Sequence, residues 1–306
     1  MTLDHSHPYV GITGIVTCDD VATIASCVAL VPASHRPMAG VLVSAKTLRG
    51  EATTSRRYPS ADRVEALLAA LADAGAWPVV HYNTRAAEGL LGVELAALRE
   101  RCPSMRGLQL NVAGPPPFSV EAFVRQNRSV EIIVQVNRAA MPSLPATRTG
   151  DTFDRHCARC LVADEVSAYV ARYYGVAHVL LDASGGEGAR LDHELAGIII
   201  GRNGDEWLDR GRRVGIAGGL GPNSADALAS VAGALKVAAA NRALCSDGAD
   251  RFEVTLADLS FDTETGVRSP VADPTPGEKH QDALDGDKAR AWVALAARAI
   301  RGEVLQ

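Results

Sequence analysis

Two features that would mark common classes of binding protein are missing from the sequence. No apolar stretch reaches the roughly 18 residues that a membrane-spanning helix needs. There is also no basic excess, because the net charge at pH 7 is −5. That charge gives no electrostatic case for binding nucleic acid or an acidic membrane surface. We therefore expect the partner to be a small molecule.

The chain also has little cysteine and no apolar leader. Its six cysteines are scattered over 306 residues, which favours reduced thiols in a cytoplasm over a disulfide framework. The first residues, Met1 to Pro8, are polar and differ from a secretory signal peptide. His156–Cys160 contains a CxxC pair, but a zinc site needs a second pair of ligands. We expect a cytoplasmic protein with no metal.

A dinucleotide-binding fingerprint is absent as well. A doubly wound open sheet that binds such a cofactor places a GxGxxG turn after its first strand. The segment Gly11–Val16, with the sequence GITGIV, does not supply that turn. No other cofactor motif occurs, so we expect no cofactor.

What the sequence does contain is a repeated alternation of short apolar segments and helical segments. The predicted strands are Tyr9–Val16, Ala39–Ser44, Pro78–Tyr82, Gly107–Val112, Glu131–Val136, Ala177–Asp182, Arg213–Ala217 and Leu256–Asp262. Eight strands that alternate with helices predict the α/β class and a (β/α)8 TIM barrel, formed as a single domain by residues 1–306. A doubly wound open sheet is the alternative.

Several helix boundaries and two long loops are also predicted. Asp19 or Asp20 is expected to cap the first helix, and Asp164 is expected to cap a helix that ends near Tyr174. Extended loops follow strand 2, over residues 45–59, and strand 5, over residues 137–155. The second loop is expected to be either a lid over the barrel mouth or a contact in a homodimer.

The barrel prediction indicates where to look for an active site. In such barrels the site lies at the carboxyl ends of the strands, frequently with phosphate bound after strands 7 and 8. The polar residues at the predicted strand ends are Thr13, Arg56, Arg57, His81, Asn83, Gln109, Asn111, Gln135, Asn137 and Asp182. The predicted phosphate corner consists of Gly218 and Gly219 with residues 263–266.

The sixth strand is the most informative of these segments. It ends in Asp182 and runs into a loop with three glycines between Ser184 and Ala189. Glycines allow a tight turn that points backbone N–H groups at an anion. An acid beside an anion cradle suits an enzyme that acts on a phosphorylated sugar. An ordinary turn between a strand and a helix, with Asp182 as a cap, is the alternative.

Five segments, in order along the chain, resemble motifs of phosphoribosylanthranilate isomerase, the barrel enzyme of tryptophan biosynthesis. Ser55–Ser60 is similar to the family's SKRYVS, and Leu180–Asp192 to its LLD…GGTGKTFDW. Ala217–Asn223 is similar to AGGLNPEN, Phe261–Val267 to VDVSSGV, and Pro276–Asp282 to PGKKDH. The resemblance extends from Gly11 to the last helix, and it implies the same barrel fold.

The resemblance also implies roles for individual residues. Asp182 falls on the family's general acid, which protonates the ribose ring oxygen, and Arg57 falls on the arginine that holds the anthranilate carboxylate. An arginine fork can bind a carboxylate through two hydrogen bonds. The implied phosphate-binding backbone belongs to Gly186, Gly218, Gly219 and Gly266. The implied activity is an Amadori-type isomerisation of a phosphorylated, carboxylate-bearing sugar-amine.

Two departures from the family pattern affect the chemistry. The family's general base is the cysteine of KICG, and Thr13 of GITG takes its position here. A threonine hydroxyl does not remove a proton at neutral pH without an activating base. His81 is the predicted replacement because of the near-neutral pKa of imidazole, and Cys18 and Asp19 are the alternatives. Asn111 stands where the family's VQLHG has histidine, and we assign it to substrate binding.

The sequence leaves three functions open. The first is a divergent isomerase of the type just described. The second is another phosphosugar enzyme on the same barrel, such as a lyase, an aldolase or an epimerase. The third is a non-catalytic protein that binds a phosphorylated ligand. Glu264 also bears on the phosphate corner, because its carboxylate would repel a phosphate unless it points away.

Overall fold

Eight parallel strands close into a barrel in sequence order. The computed structural model describes residues 7–51, 53–84, 90–112, 114–137, 152–182, 192–245 and 253–305, with only the backbone described for 152–158 and 242–245. The strands are β1 (Tyr9–Thr13), β2 (Arg36–Ser44), β3 (Trp77–Asn83), β4 (Gly107–Asn111), β5 (Glu131–Val136), β6 (His178–Leu181), β7 (Arg213–Ile216) and β8 (Leu259–Thr263). Val10 of β1 pairs with Phe261 of β8, which closes the barrel.

Helices follow the strands and pack around the outside of the barrel. They are α1 (Cys18–Val28), α2 (Ala45–Leu48), α3 (Ala61–Asp73), α4 (Leu91–Arg101), α5 (Pro117–Gln126), α6 (Thr152–Ala171), α7 (His193–Asp209), α8 (Ala225–Cys245) and α9 (Gly286–Ile300). Between β8 and α9 lies a small antiparallel hairpin of β9 (Arg268–Pro270) and β10 (Asp282–Leu284). Within the described residues, no helix has the length and apolar character required to cross a membrane.

The predicted single-domain (β/α)8 barrel is confirmed, and the open sheet is wrong because β1 pairs with both β2 and β8. The predicted range of β5 agrees residue for residue. The predicted start of β8 is wrong, because Leu256–Asp258 forms a 3-10 turn before the strand. The first helix is capped by Thr17 and not by either aspartate. Asp20 instead completes the capping box, accepting a hydrogen bond from the Thr17 backbone N–H at 2.9 Å.

Both predicted loops contain helical structure. The helix α2 occupies the beginning of the loop after β2. After β5, residues 138–151 lie outside the described part of the chain, and α6 already begins at Thr152. Asp164 therefore lies inside α6 and does not cap it. Its carboxylate accepts a hydrogen bond from Arg202 of α7 at 2.8 Å, so it joins two neighbouring helices.

The interior of the barrel changes from apolar to polar along the strands. Met38, Val79, Ile133 and Leu180 form part of an apolar cluster that is separate from the larger core between strands and helices. Since side chains alternate between the two faces of each strand, the residue two positions further along also points inward. That residue is His81 for β3, Gln135 for β5 and Asp182 directly after β6, and all three are buried. The strand register thus places a polar layer at the carboxyl end.

Candidate active site

A pocket opens at the carboxyl ends of the strands, within this polar layer. It brings together six of the predicted site residues: Thr13, His81, Asn111, Asp182, Gly218 and Gly219. It also includes six further side chains with hydrogen-bonding atoms: Gln109, Gln135, Asp262, Thr263, Glu264 and Thr265. Seven of the eight strands supply a polar or glycine residue to the lining, either from the strand or from the residues directly after it. The exception is β2, which contributes the apolar Leu42.

Thr13, His81 and Asp262 form a hydrogen-bonded chain across the pocket floor. The Thr13 hydroxyl lies 3.1 Å from His81 Nε2 and donates to Asp262 Oδ1 at 3.2 Å. All three side chains are buried. Gly40 of β2 makes room for this contact, because a Cβ at that position would lie 2.7 Å from the Thr13 hydroxyl and 2.9 Å from the His81 ring.

The environment moves the proton affinities of these two titratable groups in opposite directions. Burial, together with the negative charges of Asp182 and Glu264, raises the pKa of Asp262 to about 8. Burial lowers the pKa of His81 to about 3. Asp262 is therefore protonated at neutral pH, and His81 is a neutral imidazole. A neutral imidazole with so low a pKa is a weak base, which disfavours the predicted base role of His81.

Asp182 directly follows β6, and its backbone and side chain are both held. Its backbone N–H donates to the Val136 carbonyl at 3.1 Å, which continues the β5–β6 pairing beyond the end of the strand. Its carboxylate Oδ2 accepts a hydrogen bond from the side-chain amide of Gln135. Only 6% of Asp182 is exposed. The predicted acid thus lies in the pocket, oriented by a glutamine from the neighbouring strand.

Two buried amide carbonyls in the same lining have no partner among the residues that the structure describes. Gln109 Oε1 and Gln135 Oε1 are both enclosed and accept no hydrogen bond. The side-chain amide nitrogen of Gln135 donates to the Asp182 carboxylate. The group of Gln135 that remains without a partner is therefore its side-chain carbonyl. A buried acceptor without a partner costs free energy of about 1–3 kcal/mol. These carbonyls are therefore suited to accept hydrogen bonds from a ligand.

Arg57 lies beside the pocket, and its guanidinium is bound by two carboxylates of the chain. Nη1 donates to Glu264 at 2.7 Å, while Nη2 and Nε donate to Asp282 at 2.5 and 3.1 Å. Asp282 also accepts a hydrogen bond from Arg268 at 2.6 Å. A substrate carboxylate would have to displace Glu264 to reach Arg57. The carboxylate-binding role of Arg57 stays a prediction.

The glycines of the predicted phosphate corner serve two structural purposes. Gly218 and Gly219 have φ values of 99° and 72°, a left-handed conformation that favours glycine. Gly266 allows the loops after β7 and β8 to touch, because a Cβ there would lie 1.9 Å from the Leu220 carbonyl oxygen. Gly186 lies outside the described residues. Glu264 points at Arg57, so its charge is paired.

Gly219 and Gly266 also line a neighbouring cavity at the start of α8. Asn223, Ser224 and His193 contribute to this cavity. The N-terminus of a helix favours bound anions, so the location fits the predicted phosphate site. Whether the glycines bind phosphate stays a prediction.

Other candidates lie outside the pocket lining. Cys18 is exposed at the start of α1, where Asp19 is its neighbour. Arg56 forms an ion pair with Glu278, and Asn83 donates to the Tyr58 hydroxyl at 3.2 Å. The side chains of His156 and Cys157 are outside the described set, and among the described residues no group of three His, Cys, Asp or Glu side chains could hold a metal ion.

Asp262 is the pocket residue that sequence reasoning did not assign to the site, whereas Glu264 was placed only within the predicted phosphate corner. Asp262 was visible as a carboxylate within an apolar strand segment, in the motif that resembles VDVSSGV. A buried acid near the carboxyl end of a barrel strand indicates a residue at the mouth of the barrel, where active sites lie. Glu264 gave no such signal, because its pairing with Arg57 spans 207 positions of the chain.

Comparisons with known proteins show no family for the chain. No family model matches the chain, and no curated protein sequence matches it. Similar solved structures include N-acetylneuraminic acid (sialic acid) synthetase from Leptospira borgpetersenii serovar Hardjo-bovis, with 10% identity over 99% of this chain and 88% of that chain and a TM-score of 0.46. A beta-glycosidase has 11% identity over 93% and 85% of the two chains, with a TM-score of 0.46. A GH5_18 protein from Bifidobacterium longum subsp. longum has 10% identity over 99% and 80%, with a TM-score of 0.41. Likeness at this level has no bearing on activity. The barrel itself is established by the strand pairing.

Proposed function

We propose that the protein is an isomerase of the phosphoribosylanthranilate isomerase type, which acts by proton transfer on a phosphorylated sugar-amine. The observation that carries this proposal is the pair of buried carboxylates in one polar pocket. Asp262 holds its proton at neutral pH, and the negative charge of Asp182 is one of the causes. A buried acid that keeps its proton beside a second carboxyl group is typical of an acid–base pair.

The two carboxylates suit the two proton transfers of an Amadori rearrangement. Asp262 gives its proton to the ring oxygen, the C1–O bond breaks, and the amine lone pair forms a C1=N double bond. Asp182, whose oxygen already accepts a hydrogen bond from Gln135, then removes the proton from C2. That electron pair forms a C1=C2 double bond while the C1=N electrons return to nitrogen, and the resulting enol rearranges to the amino-ketose. The resemblance assigns the acid role to Asp182, and we assign it to Asp262 because that carboxyl is protonated.

The remaining lining suits a polyhydroxylated substrate. Gln109, Asn111 and Gln135 offer amide groups for sugar hydroxyls. Gly218 and Gly219 lie at the side of the pocket nearest the start of α8, where a helix N-terminus favours a phosphate. Thr13 donates to Asp262, which orients that carboxyl without itself transferring a proton to carbon.

The test is turnover of freshly made phosphoribosylanthranilate, followed by loss of its fluorescence, with wild type, Thr13→Cys and Asp182→Asn measured together. The proposal expects wild-type turnover that Asp182→Asn abolishes. Activity of Thr13→Cys alone would mean that the scaffold is retained while the natural substrate differs from this one. If no protein turns over this compound or another phosphorylated sugar-amine, the isomerase proposal fails.

A further inference from the structure

The mouth pocket is rich in hydrogen-bond acceptors, and no lysine or arginine belongs to its described lining. We define the acceptor ring as Gln109, Gln135, Asp182, Asp262 and Glu264. These residues come from β4, β5, the end of β6, β8 and the loop after β8, so they line the part of the pocket that extends from β4 to β8. Asp182 and Glu264 are acids whose ionised side chains only accept hydrogen bonds, so a ligand bound between them must supply donors.

Two members of the ring independently call for donors. Gln109 is 4% exposed and Gln135 is 2% exposed, and their Oε1 atoms have no partner within the described protein. Carbonyl oxygens only accept hydrogen bonds. Hydroxyl or N–H groups of a ligand would complete them, whereas a ligand carboxylate would leave them unpaired.

The positive charge of Arg57, beside the pocket, is already neutralised inside the protein. Arg57 is paired with Glu264 at 2.7 Å and with Asp282 at 2.5 Å, and its side chain is only 5% exposed. Glu264, not Arg57, belongs to the pocket lining. Its side chain is 22% exposed, so its carboxylate can reach a ligand while Arg57 holds it in place.

The raised pKa of Asp262 also indicates that the pocket is negatively charged. Its pKa of about 8 results from burial and from the negative charges of Asp182 and Glu264. A positive charge placed in the pocket would relieve this repulsion. The pocket is thus electrostatically complementary to a cation.

We propose that the acceptor ring recognises a protonated amine that the substrate carries in addition to the reacting C1 amine, whose lone pair the rearrangement uses. The natural ligand is then an amino sugar phosphate and not a carboxylate-bearing sugar. The ammonium group donates hydrogen bonds to the carboxylates of Asp182 and Glu264, and neighbouring hydroxyls donate to the two glutamine carbonyls. This inference rests on the proposed function for the phosphate end of the ligand, and it replaces the substrate carboxylate with an amine.

The first experiment is calorimetric titration of the wild-type protein with glucosamine 6-phosphate and with glucose 6-phosphate at pH 6.5. The two probes differ only in an amine against a hydroxyl. We expect the amine to bind at least about tenfold more tightly, which corresponds to about 1.4 kcal/mol. Equal binding, or tighter binding of glucose 6-phosphate, would overturn the amine inference and leave the phosphosugar proposal standing. Binding of neither probe would also overturn the amine inference, and turnover of phosphoribosylanthranilate would then decide the proposed function separately.

The second experiment removes the charge of Glu264 by Glu264→Gln. The amine preference should fall several-fold while the affinity for glucose 6-phosphate changes little. Glu278→Gln is the matched control, because Glu278 also pairs with an arginine of the loop after β2 but lies outside the pocket lining. An unchanged preference in Glu264→Gln, or an equal loss in the control, would contradict the role of the acceptor ring.

Discussion

The two ends of the barrel shift the pKa of a carboxyl group in opposite directions. At the amino ends of the strands, Glu131 accepts hydrogen bonds from Arg36 at 2.6 and 2.8 Å and lies 2.9 Å from His178. Arg36 also lies over the Trp77 ring, 3.9 Å from its centre. Although burial opposes the charge, these hydrogen bonds hold the pKa of Glu131 at about 2.

At the carboxyl ends, Asp262 has no such cationic partner among the described residues. Its side-chain hydrogen bond comes from the Thr13 hydroxyl, and its nearest titratable neighbour is His81, with 3.9 Å between Nε2 and Oδ2. Burial lowers the pKa of that imidazole to about 3, so it carries no positive charge at neutral pH. Asp262 consequently keeps its proton up to about pH 8.

From this difference we expect the amino ends of the strands to contribute to stability and the carboxyl ends to contribute to the proposed chemistry. An ion pair that satisfies every charge stabilises a fold but leaves no proton to transfer. A buried acid without a compensating cation destabilises the fold and supplies a proton at neutral pH, which is typical of a catalytic site. Substitutions at the two ends should therefore affect different quantities.

The largest expected effect is that of Asp182→Asn on turnover. This change keeps the shape of the side chain but removes its ability to accept a proton, so kcat/KM should fall at least about 10³-fold. The melting temperature should stay close to that of wild type. Wild-type rates in this variant would refute the catalytic role of Asp182.

Glu131→Gln should act on stability instead. The change leaves Arg36 and the buried His178 without their anionic partner, and the free energy of unfolding at pH 7 should fall by about 2 kcal/mol. Because the pKa of Glu131 is lowered, its stabilisation is present above the pKa of the unfolded chain and is lost as the pH falls towards 2. Chemical denaturation at several pH values measures this difference.

The kcat of the folded Glu131→Gln protein should not change. Glu303→Gln, an exposed partner of Arg301, is the control and should show no measurable loss of stability. A loss of turnover in Glu131→Gln under conditions where the variant is fully folded would contradict the proposed division of roles between the two ends.

Asp262→Asn should show the opposite dependence on pH. Because the pKa of Asp262 is raised to about 8, the folded state binds a proton that the unfolded state has lost between about pH 4 and pH 8. Wild-type stability should therefore decline with rising pH in this window relative to the variant, by at most about 1.4 kcal/mol per pH unit. Parallel unfolding curves at pH 5.5, 6.5 and 7.5 test this expectation, and a constant difference between the two proteins would contradict it.

The smallest effect is expected for Thr13→Ala. Its hydroxyl orients Asp262 and takes no proton from the substrate, so kcat should fall less than about tenfold, as for the loss of one neutral hydrogen bond. The decisive readout is the pH profile. Removing a hydrogen bond that favours the charged form should raise the pKa of Asp262 further. A loss as large as that of Asp182→Asn would give Thr13 a direct catalytic role.

The fold was predictable because its signals are local. Alternating apolar and helical segments gave the barrel, and the end of β6 at Asp182 was evident from its apolar run. The beginning of α6 was not evident from the sequence, because this helix has only a weak apolar periodicity. Asp164 also has the residue type of a helix N-cap, although it lies inside α6. The hairpin of β9 and β10 was missed because each strand has only three residues.

The site was only partly predictable because its chemistry depends on distant contacts. The mouth of the barrel collects the strand ends, so Thr13, His81 and Asp182 could be placed there from the strand pattern. The contact of Thr13 with Asp262 joins residues 249 positions apart. Neither the proton on Asp262 nor the pairing of Arg57 can be inferred from spacing, because both arise from burial and charge in the folded chain.

The measurement that tests this account most directly is a carbon-13 NMR titration of the aspartate carboxyl groups in wild type and in Asp262→Asn. We predict a carboxyl that titrates near pH 8 in wild type and is missing from the spectrum of the variant. Titration of every aspartate below about pH 5, as in ordinary exposed carboxyls, would contradict the claim that the mouth of the barrel stores a proton for catalysis.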